Sequence, residues 1–387
     1  MTEREPIYLD HAATTPMRPE VLEAMLPYFS DTFGNPSSIH AFGRAAKMAL
    51  TAARDRMADA LGCSPSELVF TSGGTESDNM AVIGGALAAA KSSDRRRVVA
   101  SAVEHHAVLH ACEELERQGF EVVYAPVDST GRVDEAAIEA LIDDRTALVS
   151  VMYANNEVGT LQPIERIGSL AKQHGALFHV DAVQALGSVR IHLAELPVDL
   201  MSFSAHKING PKGIGALYVN RRVKLKPHTF GGSQERNRRA GTENVPGAVG
   251  FAKAVELAVQ ELDTKNNELQ QLREAMLGVF KQLLPSGAFV VNGHPDKTNR
   301  LPHILNVSFP GTNTESLLMN LDLEGIAASS GSACSAGALE PSHVLAAMGL
   351  PDELLRSAIR FSFGRMNCLK SVTFSAEKVA TIVKRLT

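Results

Sequence analysis

The chain has 387 residues, of which 44% are hydrophobic and 21% charged, with a formal charge of −5. That length suggests two or three structural units and can bury a large core without disulfides or a structural metal. The mild acidity excludes a global pull toward nucleic acid or acidic membranes.

In chain order, Met1-Thr-Glu-Arg-Glu lacks the apolar core of a signal peptide and no run approaches a membrane span, so the expected location is the cytoplasm. From about Leu68 to Val219, short β-branched runs alternate with helical patterns. Leu68–Thr71, Arg97–Ser101, Ala147–Met152, Ala176–Val180 and Val198–Ser204 read as buried strands, and Gly215–Val219 as one more that closes the unit. Ser77–Lys91, His106–Gln118, Asp134–Ile142 and Ile164–His174 read as the intervening helices. Such alternation predicts an α/β fold with a mostly parallel central sheet. One long helical segment, Phe251 to about Leu284, leads into a smaller α+β unit. The expected division is a large domain over residues 16–255 and a small domain built from residues 1–15 and 256–387.

In an open α/β sheet, ligands sit beyond the carboxyl ends of the strands. Five consecutive strand ends here are polar: Thr71–Thr75, Glu104-His105-His106, Asn155-Asn156-Glu157, Asp181–Gln184 and Ser204–Lys207. Ser72-Gly73-Gly74-Thr75 opens a helix, where free N–H groups attract a phosphate; an ordinary capped turn is the alternative. Neither a P-loop nor a dinucleotide fingerprint is present. Asp181 could pair with a protonated ring nitrogen, with Gln184 donating to a ring oxygen, or Asp181 could simply cap a helix. In an extended segment Ser204 and His206 share a face, fit for a phosphate, while Lys207 points the other way and could form a Schiff base. His105 could stack on a flat cofactor and move protons. His105, His106 and His110 also cluster, but no carboxylate or cysteine completes a metal-ligand spacing, so no metal is expected.

Four cysteines, Cys63, Cys112, Cys334 and Cys368, lie far apart without a Cys-x-x-Cys pair. Cys334 sits in a run of small residues, Ala328 to Ala338, which suggests a displayed nucleophile on a loop; the other three read as structural. Arg360 alternates with apolar residues and could grip a carboxylate bidentately or make an internal ion pair.

The segments Tyr8–Pro16, Phe33–Ser38, Phe70–Asn79, Glu104-His105, Asn155–Gly159, His179–Gln184, Ser204–Tyr218, Arg239–Thr242, Ser329–His343 and Arg360-Phe-Ser together resemble a known family, in family order. The chain is similar to cysteine desulfurases of the NifS/IscS type, class V and fold-type I enzymes dependent on pyridoxal 5′-phosphate. Ser-Ser-Gly-Ser-Ala-Cys334 resembles the group with the longer catalytic loop, whereas Met366-Asn-Cys-Leu-Lys370 departs from the acidic helix start usual there.

The resemblance implies that Lys207 carries the cofactor as a Schiff base, His105 stacks on the ring, and Asp181 and Gln184 contact its nitrogen and oxygen. It further implies phosphate binding by Gly74, Thr75, Ser204 and His206, joined by Thr242 from the partner subunit of a homodimer. Asn156 would support ring and substrate, and Arg360 with Asn35 would hold the carboxylate of L-cysteine. Cys334 would receive the sulfur as a persulfide and pass it to an acceptor protein for iron–sulfur cluster assembly or tRNA thiolation. Competing readings are a selenocysteine lyase or another class V aminotransferase and, outside enzymes, a catalytically silent sulfur-delivery scaffold.

Overall fold

The computed structural model describes residues 5–331 and 341–387. Its strands are β1 (Ile7–Tyr8), β2 (Leu68–Thr71), β3 (Arg97–Ser101), β4 (Glu121–Ala125), β5 (Thr146–Ser150), β6 (Leu177–Asp181), β7 (Leu200–Ser204), β8 (Gly215–Val219), β9 (Val290–Asn292), β10 (Ile304–Ser308), β11 (Ile326–Ala327) and β12 (Ala358–Ser362). Seven of them form one sheet in the order β2-β8-β7-β6-β5-β3-β4. The run from β7 to β4 is parallel, and β8 pairs antiparallel with both β7 and β2. The sheet is thus mostly parallel, as its strand–helix alternation predicts. Gly215–Val219 does not close it as a last strand; it lies inside, with Leu68–Thr71 at the edge.

Both faces of this sheet are covered, which explains why its strands read as continuous apolar runs. Val99, Val149, Phe178, Val180, Met201 and Phe203 pack into the core on one side. Val98, Ala100, Leu148, Leu200 and Leu217 pack into the core on the other, against Met80, Val82 and Ile83 of helix Gly74–Ser93. Burying one such side chain contributes about 1.5–3 kcal/mol before entropy is charged against it.

The edge strand β4 is absent from the sequence expectation because its residues are only partly buried and carry no clear alternation. The long helical segment is two helices, Val245–Gln260 and Leu262–Leu283, broken at Glu261. A second sheet, β12-β10-β9, is antiparallel. One of its faces (Leu305, Val307, Ile359, Phe361) packs with Phe280, Phe309, Val379 and Leu9. The other face is polar, carrying Asn292, Asn306, Ser308 and Arg360, all buried.

The segment after β1 crosses between the two sheets. Its start is fixed by the parallel β1–β11 pair and by Ser362, whose N–H donates to Leu9 O at 2.7 Å. Its far end is fixed by Thr15, whose hydroxyl donates to His206 O at 2.7 Å while its N–H donates to the same oxygen at 3.0 Å.

Candidate active site

A cavity of about 260 Å³ opens where β6 and β7 end and the crossing segment passes over them. Its walls hold ten of the twelve described candidate residues: Gly74, Thr75, His105, Asn156, Asp181, Gln184, Ser204, His206 and Lys207, with Arg360 from the second sheet. Asn35 and Thr242 do not line it. Asn35 is exposed, its Oδ1 accepting from Ser37 N at 2.9 Å. Thr242 lines a separate hollow with Ser72 and Gly213. Cys334 lies outside the described residues.

Lys207 ends a short 3₁₀ turn, Ala205–Lys207, that follows β7. That turn corrects the expectation of an extended strand end: its three-residue pitch replaces the alternation, so Ser204, His206 and Lys207 all face one cavity. Lys207 Nζ donates to the carbonyls of Ala12 and Ala13 at 2.6 and 2.8 Å. Gln184 Nε2 donates to the same Ala12 carbonyl at 2.9 Å. The backbone of residues 12–13 is therefore the seat of the lysine. Nothing in the sequence of two alanines announces this.

Asp181 is buried, and its Oδ1 accepts from Val183 N at 2.9 Å, so it caps the turn as the simpler reading held and still faces the cavity. Burial pushes its carboxyl up to about 6, against the pull of the Val183 N–H and of Lys207. His105 caps helix His106–Arg117, Nδ1 accepting from Ala107 N at 3.1 Å, which leaves Nε2 for the cavity. Burial, then the positive charge of Lys207, hold this imidazole down at about 4, so it is neutral near pH 7.

Helix Gly74–Ser93 begins at the cavity with no side chain capping its first turn. Its free N–H groups and dipole favour an anion there. A Cβ added to Gly74 would lie 2.8 Å from Val183 Cγ2, so only glycine lets the helix start this close to the next strand end. On the opposite wall, Arg360 donates through its two terminal nitrogens to Asn156 O at 2.9 Å and to Asp10 Oδ1 at 2.8 Å. It makes the internal ion pair that the sequence left open, and its buried Nε has no partner among the described residues.

Sequence reasoning missed Asp78, which also lines the cavity. The available signal was a second carboxyl, after Glu76, in the first two turns of the helix that opens at Gly74. It also read Cys368 as structural; that thiol is exposed at the start of helix Leu369–Leu386. Cys112 is buried, its thiol pushed up to about 12 by burial. A larger hollow of about 1040 Å³, lined by Cys63, Lys172, His192 and Arg222, lies elsewhere and mixes both signs of charge without a converging set of donors.

Residues 7–373 match the class-V aminotransferase family, and the chain belongs to that family. Within it the chain is 52% identical over 386 residues to the putative cysteine desulfurase IscS 1 of Bacillus subtilis, covering 99% of this chain and 100% of the relative. It is 50% identical to the cysteine desulfurase IscS of Methanosarcina thermophila, covering 100% and 94%. A solved structure of a NifS-like protein superposes with a TM-score of 0.90 at 38% identity, covering 98% of this chain and 100% of that one.

Proposed function

We propose that the chain is a cysteine desulfurase that uses pyridoxal 5′-phosphate to take the sulfur of L-cysteine, leaving L-alanine and a persulfide on Cys334. The observation that carries this reading is a single cavity walled by an amine (Lys207), a buried carboxylate (Asp181), a neutral imidazole (His105) and an uncapped helix start (Gly74). These residues fit the cofactor. The close approach that glycine permits at position 74 suits a phosphate, and Asp181 suits a ring nitrogen that must stay cationic.

When bound, pyridoxal 5′-phosphate supplies an aldehyde for the substrate amine and a cationic ring that withdraws electron density. Gly74, Thr75, Ser204 and His206 hold the phosphate, and Thr242 of a second copy completes the set. Gln184 would contact the ring oxygen and Asn156 would support the ring. Lys207 would hold the cofactor through its amine, and the same amine, lining the cavity, would serve as a base for the substrate α-proton. Neutral His105 stacks on the ring and moves protons at Nε2. Arg360, with Asn35, fixes the substrate carboxylate. The Cys334 thiolate attacks the substrate sulfur: the S–S bond forms as the Cβ–S bond breaks, and the carbon keeps the electron pair and is protonated. Cysteine plus the Cys334 thiol thus balances alanine plus the Cys334 persulfide, which passes to an acceptor protein.

A homodimer is part of this reading. Leu22, Leu26, Phe29, Phe33, Ile39, Phe42 and Met48 are exposed within one stretch of chain, the kind of apolar surface a second copy covers. Both candidate residues missing from the cavity, Asn35 and Thr242, fit contribution across that contact. The expected domain division is supported by separate cores, with Val255 in the large-sheet core and Leu9 and Leu269 in the other. Among the described residues, no helix is long and apolar enough to cross a membrane.

The test is turnover of L-cysteine with products measured. Alanine and sulfide in equal amounts, with Cys334→Ala retaining the bound cofactor's absorbance but forming no persulfide, is the expected outcome. Pyruvate as the main product, or sustained desulfuration by Cys334→Ala, would overturn the proposal.

A further inference from the structure

Beneath the cavity lies a second buried carboxyl that the mechanism above does not use. Asp78, on helix Gly74–Ser93, is 1% exposed, and its Oδ1 has no hydrogen-bond partner among the described residues. It lies 3.6 Å from Nε2 of His179, which is 0% exposed on β6. His179 is bracketed by two hydroxyls: Nδ1 meets Ser150 Oγ on β5 and Nε2 meets Ser202 Oγ on β7, both at 2.9 Å. The Ser202 hydroxyl reaches Asp78 as well. His179 and Asp181 are two residues apart on one strand and therefore share its face, so this chain of polar groups runs directly under Asp181.

The charges facing Asp78 are unequal. From β6 come Asp181 and the imidazole of His179; from the end of β3 comes Glu104. Full burial holds His179 neutral, so the Asp78–His179 contact is not an ion pair and brings no positive charge. Among the described residues, the ionisable groups that act on Asp78 are two other carboxyls, Asp181 and Glu104, and each opposes its ionisation; burial pushes Glu104 itself up to about 8. Asp181 instead feels Lys207 and accepts the Val183 N–H. Two carboxyls in one dry site do not both ionise, and the one with a cation and an N–H donor keeps the charge.

We propose that Asp78 is a neutral carboxyl, a positioning residue whose proton leaves Asp181 as the single negative charge under the cavity and ties the Ser202–His179–Ser150 chain beneath it. Its consequence for the cofactor rests on the reading of Asp181 as partner of the ring nitrogen; its protonation does not. A second negative charge beside Asp181 would strengthen the hold on the ring proton and blunt the difference between charged and neutral ring that turnover uses. The arrangement prevents that.

Sign and size follow from linkage. A carboxyl kept protonated in the folded state but ionised when unfolded lowers stability as pH rises above its ordinary range. Asp78→Asn, which imitates the protonated form, should therefore melt at or above the wild type near pH 7, with the gain shrinking toward pH 4. Infrared spectra of the apoprotein with isotope-labelled aspartate should show the C=O stretch of a protonated carboxyl near pH 7, lost in Asp78→Asn and kept in Asp181→Asn. In the holoenzyme, an alkaline transition in the cofactor absorbance should be present in the wild type and absent from Asp78→Asn, whose kcat should stay within about threefold. Asp78→Leu, which removes the donor, should weaken cofactor retention about tenfold. A lower melting temperature for Asp78→Asn, a protonated-carboxyl band lost with Asp181 instead, or an alkaline transition unchanged by Asp78→Asn would each overturn the proposal. Because melting and infrared are read on apoprotein, they stand or fall separately from the desulfurase reading.

Discussion

Two buried polar surfaces, one on each of the two larger sheets, are built on opposite terms. On the polar face of the second sheet, Asn292 Nδ2 donates to Asn306 Oδ1 and to Ser308 Oγ, both at 2.8 Å, and Asn306 Nδ2 donates to Glu157 O at 3.3 Å. That surface meets its own demand. Under the large sheet's strand ends, Asp78 Oδ1 and Glu104 Oε2 are buried with no hydrogen-bond partner among the described residues, and Arg360 Nε on the second sheet is left over likewise. A buried polar atom without a partner costs about 1–3 kcal/mol, so a surface that carries several is held in place for something other than stability. The satisfied face specifies how the units dock, while the unsatisfied one waits for chemistry.

Substitutions on the two surfaces should therefore separate stability from turnover. The largest effect is expected from Lys207→Ala, which should lower kcat by about 10³-fold or more while leaving thermal unfolding close to wild type; a variant that turns over within tenfold would erase the contrast. Arg360→Gln comes next. If Arg360 fixes the substrate carboxylate as proposed, the substitution should raise KM for cysteine by roughly a hundredfold with a smaller change in kcat, and it also strands Asp10. On the satisfied surface, Asn306→Ala should cost about 1–3 kcal/mol in denaturant unfolding while the cofactor absorbance stays unchanged.

The smallest effect is a slope. His11 is buried edge-on to Tyr8, and burial holds its imidazole down at about 4. Its folded form resists a proton that the unfolded chain accepts near 6.5, so its contribution is complete above pH 6.5 and is lost as pH falls toward 4. Melting temperature plotted against pH should flatten in that window for His11→Leu, whatever happens to the plateau.

What the sequence made legible follows from locality. The strand ends at Thr71, Asp181 and Ser204 could be read because each is a β-branched or apolar run that stops at a polar cluster. The α/β class follows from the same alternation. The lysine seat could not be read, since Ala12 and Ala13 act through backbone carbonyls and carry no chemical signature. Nor could the choice at Arg360, whose partner Asp10 is 350 residues away in sequence. The turn at Ala205–Lys207 defeated strand alternation within three residues, and Asp78 was hidden because a carboxyl in the first two turns of a helix reads first as a surface residue.

The crossing segment also sets a timetable. Leu9 receives Ser362, Ala12 N donates to Ser362 Oγ at 2.8 Å, and Asp10 receives Arg360, so residues 9–12 are held by residues made 350 positions later. A ribosome-bound chain stopped short of β12 can build much of the seven-stranded sheet and the β1–β11 pair but lacks the Ser362 and Arg360 contacts to residues 9–12. Such a nascent protein would hold the carbonyls that seat its lysine less firmly. The cavity should therefore be completed late, only once β12 has joined the second sheet.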